Sequence, residues 1–388
     1  MNSGCSSQTA LVAIVGICFA LPLCMCKGFD PNSETAIDSH IETIDDPLTL
    51  IADSDTLAKW EDWAMRSDEG QWENDPSHNV QLTLVHTFGG EENLDPPFYS
   101  VKWMQVSGDT LFIADRAREC LVCMNSAGEV LWEYGARGEG PGYFNRIGPI
   151  AVSDSWLAIC NIDGDRVELI TRSGELIEVF NIMNPLYVET IDPETFAVLS
   201  IAEAGGDVHL FDINTGHLAS FGECPWQGGE FIQRSTNAFS AQCINNRYLI
   251  VNHFFEYRIV VFDVFEEELI AEFVRNHPSG SLPSSSVSMR EDESIAGIFF
   301  FLLGKMFIGP EGAINIKLDA IQKDGSVINS RTTIGPAPVT VIDRYNLTGE
   351  YLDSYCIPLP NCTEFRYSDP YLYVSQSYTG TVFQFEMD

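Results

Sequence analysis

The sequence predicts an all-β chain folded as a six-bladed β-propeller of four-stranded blades, with seven blades as the alternative. Three observations carry that expectation. After about residue 79, short β-branched and aromatic runs alternate with Gly, Asp and Asn, and no 3.6-residue periodicity is sustained. One pattern then recurs: apolar strand, polar turn, apolar strand, Gly-containing turn, strand ending in an aromatic. Its terminal aromatics, Phe88, Tyr134, Phe180, Phe221, Phe273 and Tyr355, are separated by 46, 46, 41, 52 and 82 residues, and most steps match the ~40–50 residues of a propeller blade. Finally, the last repeat, "PYLYVSQSYTGTVFQFEMD", supplies only part of a blade, while "NVQLTLVHTFGG" reads as a lone fourth strand. The N-terminal strand is therefore expected to complete the last blade and remove two exposed edges.

Taken in order, residues 1–26 read as an export segment. Ala10 to Cys26 holds no charged residue, a length that suits a secretory apolar region and falls short of the ~20 apolar residues of a spanning helix. "LPLC" and "LCMC" resemble a lipobox and make Cys24 and Cys26 candidate lipidation sites, although no basic residue precedes the segment and neither cysteine follows the usual small residue. An uncleaved anchor is the alternative. Residues 27–79 are acidic, with a possible short helix at "TLAKWEDWAMRS", and read as a tether; residues 80–388 read as the propeller.

Within the propeller, the first four full repeats begin at "DTLFIAD", "SWLAICN", "TFAVLSI" and "RYLIVNH". The 82-residue step contains one convincing hairpin, "NLTGE", and reads as a single fifth blade with an insertion around "IQKDGSVINSRTTIGPAP". The apolar "IAGIFFFLLGKMFIG" is too short to span a membrane and fits inner strands of that blade. "YGARGEGPGYFNRIGPIAV" is glycine-rich but leads into a strand, so the helix N-terminus that a phosphate loop requires is missing. It reads as the crossing from blade one to blade two, with Phe144 packed between blades. "CLVC", Cys120 to Cys123, has metal-motif spacing, but residues three apart on a strand face opposite ways, so buried thiols are preferred. Cys356 and Cys362 are the pair placed to bridge in an oxidising compartment.

The segment "LFIADRARECLVCMNSAGEVLWEYGARGEGPGYFNRIGPIAV" resembles an NHL-type repeat. The resemblance is strongest over residues 80–222 and extends more weakly beyond, and it is similar to the TolB-like or NHL-like six-bladed lipoproteins of bacterial envelopes. It implies the fold and an envelope location rather than an activity. Tyr143 departs from the pattern, standing where many relatives carry an acidic residue.

Charge narrows the partners. With 21 Lys+Arg against 56 Asp+Glu, a net charge of −35 excludes nucleic acid and anionic membrane surfaces. Aligning the ends of the second strands gives Asp115, Asn161, Glu203, His253, Asp319 and Gln376. The first five form a candidate divalent-cation set, Ca²⁺ foremost, and the bland alternative is that such residues fasten turns. Arg116, Arg118, Arg166 and Arg258 lie in or just after the following turns and, with Gln376, line the expected ligand face, either holding an anion or neutralising nearby carboxylates. Neither HExxH nor GxSxG occurs. The preferred reading is a monomeric, exported, tethered scaffold that binds a protein, peptide or glycan through its loop face. A metal-dependent hydrolase or lyase is the alternative.

Overall fold

The structure is a computed structural model and describes residues 82–90, 97–200, 206–222, 239–253, 258–274, 286–289, 295–299, 303–318, 340–345, 351–357, 359, 362–376 and 379–387. The export segment, the tether and the insertion around residues 321–338 lie outside these residues. The strands follow the repeat. After β1 (Leu82–Gly89) come blade 1, with β2 (Val101–Ser107), β3 (Thr110–Asp115), β4 (Cys120–Asn125) and β5 (Val130–Tyr134), and blade 2, with β6 (Ile147–Val152), β7 (Trp156–Asn161), β8 (Arg166–Thr171) and β9 (Leu176–Asn181). Blade 3 comprises β10 (Tyr187–Thr190), β11 (Thr195–Leu199), β12 (Val208–Asp212) and β13 (Gly216–Phe221), and blade 4 comprises β14 (Phe239–Ile244), β15 (Tyr248–His253), β16 (Arg258–Asp263) and β17 (Glu268–Val274).

A two-stranded hairpin, β18 (Ser286–Met289) and β19 (Ile295–Phe299), precedes blade 5, which holds β20 (Leu303–Ile308), β21 (Ile314–Leu318), β22 (Thr340–Tyr345) and β23 (Tyr351–Ile357). This corrects one expectation. Only "LGKMFI" of the long apolar run is an inner strand of blade five, while "IAGIF" pairs with "SVSM" in a sheet of its own. Blade 6 contains β24 (Cys362–Ser368), β25 (Tyr371–Gln376) and β26 (Thr381–Met387), and β1 pairs antiparallel with β26 as its fourth strand, Leu82 opposite Met387 and Phe88 opposite Val382. The protein is thus a six-bladed, all-β propeller closed by its N-terminal strand.

Period-2 alternation makes each blade a two-sided slab, and both sides are covered by neighbours. In β4, Cys120, Val122 and Met124 face Phe88, Phe98, Tyr373 and Val382, whereas Leu121 and Cys123 face Phe144, Ile147, Ile150 and Leu157 of the next blade. The two CxxC sulfurs therefore lie on opposite sides of one sheet. Both are buried free thiols, and burial pushes each up to about 11. Cys362 is also a buried free thiol, 3.5 Å from the Leu359 carbonyl oxygen; the side chain of Cys356 lies outside the described residues. The inner strands β2, β6, β10, β14, β20 and β24 neighbour one another in a closed ring around the central channel.

Candidate functional site

Two regions draw on the chemistry-bearing residues: the face where the chain crosses between blades, and the waist of the channel. Register places the first. Asp115 pairs with Val101 and Asn161 with Ile147, so the end of each second strand sits beside the start of the inner strand of its blade. Asp115 is fully buried, and its carboxylate accepts from the backbone N–H groups of Tyr99 (3.0 Å), Ser100 (3.1 Å) and Ala117 (3.0 Å) and from Arg118 Nε (2.9 Å). Asn161 plays the same part in blade 2, accepting from Asn145 N–H and donating to the Tyr143 carbonyl (2.9 Å). In blade 3 the role falls to Ser200, whose hydroxyl donates to the Met183 carbonyl. Each short polar side chain fastens the segment that enters its own blade, which fits the turn-fastening reading.

Of the other second-strand residues, Gln376 is partly exposed and pairs with Thr381, His253 is described by its backbone alone, and Glu203 and Asp319 lie outside the described residues. Among the described residues no three His, Cys, Asp or Glu side chains are grouped to hold a metal ion. The arginines are engaged with carboxylates: Arg116 with buried Glu119, Arg118 with Asp115 and Glu133, Arg166 with buried Glu168. The side chain of Arg258 lies outside the described residues.

The glycine-rich crossing is pinned from below. Glu168 accepts from Tyr134 Oη (2.7 Å), Gly142 N–H (3.0 Å) and Arg166 Nε (2.8 Å), while Glu119 accepts from Ile147 N–H (2.7 Å). Phe144 is fully buried between blades 1 and 2, as expected of an anchor. Gly135, at φ +90°, leaves room for that ring, since a Cβ there would come within 2.4 Å of it. Held in this way, the three crossings present Tyr99, Tyr143 and Met183 to solvent, 52%, 49% and 51% exposed.

The channel waist is built differently. Alternate residues of inner strands point into it, and several are charged. Glu364 and Arg366 are both buried on β24, and Lys305 is buried on β20. Lys305 Nζ lies 3.2 Å from Glu364 Oε2 and 2.9 Å from the centroid of the Trp103 ring. Arg366 Nη1 reaches Glu364 Oε1 at 2.6 Å, and its other nitrogens donate to Gln105 Oε1 (2.9 Å) and Tyr187 Oη (3.2 Å). Across the channel Glu189 accepts from Cys243 N–H (3.3 Å), with Gln242 Nε2 at 3.5 Å. Burial lowers the Lys305 ammonium to about 7 against the opposing pull of Glu364, and burial raises Glu189 to about 7 against the opposing pull of Arg366. Solvent still reaches the lining, because Lys102, Trp103, Gln105, Glu189 and Gln242 all keep partial exposure.

This cluster was not foreseen from the sequence, which drew attention to second strands. Its signal is present in retrospect as charges inside first strands, Lys305 in "LGKMFI" and the alternate pair Glu364 and Arg366 in "CTEFRYS".

No protein-family model matches the chain, and no curated protein is detectably related to it. Among solved structures it is similar to a member of the duf4221 family from Bacteroides vulgatus, at 10% identity and TM-score 0.51 over 80% of this chain and 98% of that one. It is also similar to a structural genomics protein of unknown function from Bacteroides thetaiotaomicron (8% identity, TM-score 0.51, 79% and 76% covered) and to U3-55K (10%, 0.50, 78% and 98%). At these identities the likeness shows the fold.

Proposed function

We propose that the protein is a binding scaffold whose crossing face, over blades 1 to 3, docks a protein or peptide partner. One observation carries the reading: three equivalent crossings, each locked by a polar side chain, expose Tyr99, Tyr143 and Met183, residue types enriched in protein interfaces. A fixed backbone under an exposed tyrosine lowers the conformational cost of docking, because the loop is ordered before the partner arrives. Arg116, Arg118 and Arg166 of this face are paired with carboxylates, while Arg137 and Glu139 stand exposed in the crossing that carries Tyr143. The apolar N-terminal segment would carry the propeller into the cell envelope and tether it there.

Photo-crosslinking in the native cell tests this. A benzophenone side chain replacing Tyr143 is expected to give a discrete crosslinked species, and the same group replacing Leu131 on an outer strand is expected to give none. Equal labelling at both positions, or none at position 143, overturns the proposal.

A further inference from the structure

One irregularity recurs in every blade. Where the third strand pairs with the outer one, a residue of the outer strand has no opposite number: Cys123 pairs with Trp132 and Met124 with Val130, which leaves Leu131 over. The same slip leaves over Val85 in β1, Ile177 in β9, Leu218 in β13, Ile270 in β17 and Leu352 in β23. Each of the six stands three residues before the aromatic that ends its repeat, so the extra residue belongs to the repeat itself. All six are aliphatic, and each is between 39% and 54% exposed.

The strands that carry these bulges are the ones with a side to spare. Each of β1, β5, β9, β13, β17 and β23 is the last strand of its sheet, with backbone N–H and C=O groups along its outer side, the template on which another strand pairs. An inserted residue bends the strand, raises its twist and breaks the regular spacing of those groups, so a straight strand laid against it keeps register on one side of the bulge only. An aliphatic side chain at that point offers no hydrogen bond in place of the interrupted ladder. Exposed carboxylates flank the bulges of blades 1 and 2, Glu129 and Glu133 about Leu131 and Glu175 and Glu178 about Ile177, so two copies meeting edge to edge would set like charges together. The chain's own additional strands behave accordingly: β18 and β19 pair with each other in a separate sheet, and neither extends the outer edge of a blade.

We propose that the six bulges close the rim of the propeller to strand addition, so that a second copy cannot join it edge to edge and partners are taken through side chains rather than through a shared sheet. The six aliphatics are distributed one to a blade, the arrangement of an edge feature rather than of one docking patch. The inference holds whatever the crossing face binds.

Deletion of Leu131 is the test, since it brings Val130 and Trp132 into consecutive register opposite Met124 and Cys123 and makes β5 a regular edge. Amide hydrogen exchange of the full chain is followed strand by strand at two protein concentrations about fiftyfold apart. In the unaltered chain the outer strands are expected to exchange at the same rate at both concentrations. In the deletion variant the β5 amides are expected to exchange at least about tenfold more slowly at the higher concentration, as two copies pair through β5 about a two-fold axis. Leu131→Asp keeps the bulge and is expected to match the unaltered chain. Concentration-dependent protection along the outer strands of the unaltered chain overturns the proposal, and its loss in Leu131→Asp would assign the aliphatics to docking instead. A folded deletion variant whose β5 gains no protection overturns it equally. Deletion of Ile177 in β9 repeats the test in blade 2, and the criterion on the unaltered chain stands even if neither deletion variant folds.

Discussion

On the crossing face of blades 1 and 2, each buried carboxylate is met by several donors, at least one of them a backbone N–H. At the channel waist, two buried cations lean on one buried carboxylate. Asp115 collects three N–H groups and Arg118, and Glu168 collects a phenol, an N–H and Arg166, and these bonds hold loops. Lys305 has an aromatic face and a shared carboxylate, and its burial is correspondingly costly. Buried charge thus holds loops at the crossings, while at the waist burial depresses the Lys305 ammonium.

The sharpest way to break this contrast is Asp115→Ala. It leaves three backbone N–H groups without their acceptor and takes one of the partners of Arg118, and denaturant titration should show a loss of about 3 kcal/mol. Gly135→Ala comes next, at about 2–3 kcal/mol, because the added Cβ meets the buried Phe144 ring at a left-handed φ. Gly140→Ala, at φ +84° with open space around it, should cost only about 1 kcal/mol by the same assay.

Stability against pH then separates the waist from the crossings. Glu189 has a folded value near 7, above its ordinary 4.5, so its contribution falls as pH rises from about 4.5 through 7. Lys305 has a folded value near 7, below its ordinary 10.5, so its contribution improves as pH rises from about 7 toward 10. Together they predict a dip in stability near pH 7, where most proteins are near their maximum, and Glu189 gives the shallower limb because it keeps some solvent contact. Thermal unfolding of Glu189→Gln should remove the falling limb, and Lys305→Met the rising one. The smallest effect belongs to Tyr143→Ala. Its side chain is half exposed, so stability should change by less than about 0.5 kcal/mol while partner docking is lost.

The fold was legible because blades repeat their chemistry along the chain. Closing aromatics, glycine crossings and strand alternation reported the same unit several times, and the opposite orientations of Cys120 and Cys123 followed from period 2 alone. The ligand face was read in part. Asp115 and Asn161 fasten their crossings, and in blade 3 Ser200, just after β11 ends at Leu199, holds the crossing; Glu203 lies outside the described residues. The waist was hidden because it exists only when the ring closes. Lys305, Arg366 and Tyr187 come from β20, β24 and β10, and nothing in any one repeat shows that they meet. The β18–β19 hairpin was hidden by its apolar composition, which matches that of an inner strand.

The pairing of Leu82 with Met387 has a consequence in time rather than in space. The first of the described strands waits for a partner made about 300 residues later, and until then it presents an unsatisfied edge. A ribosome that stops before Thr381 would release five complete blades and a sixth without β26. Folding of this ring is therefore a test of translation itself: only a chain copied through β26 can shut.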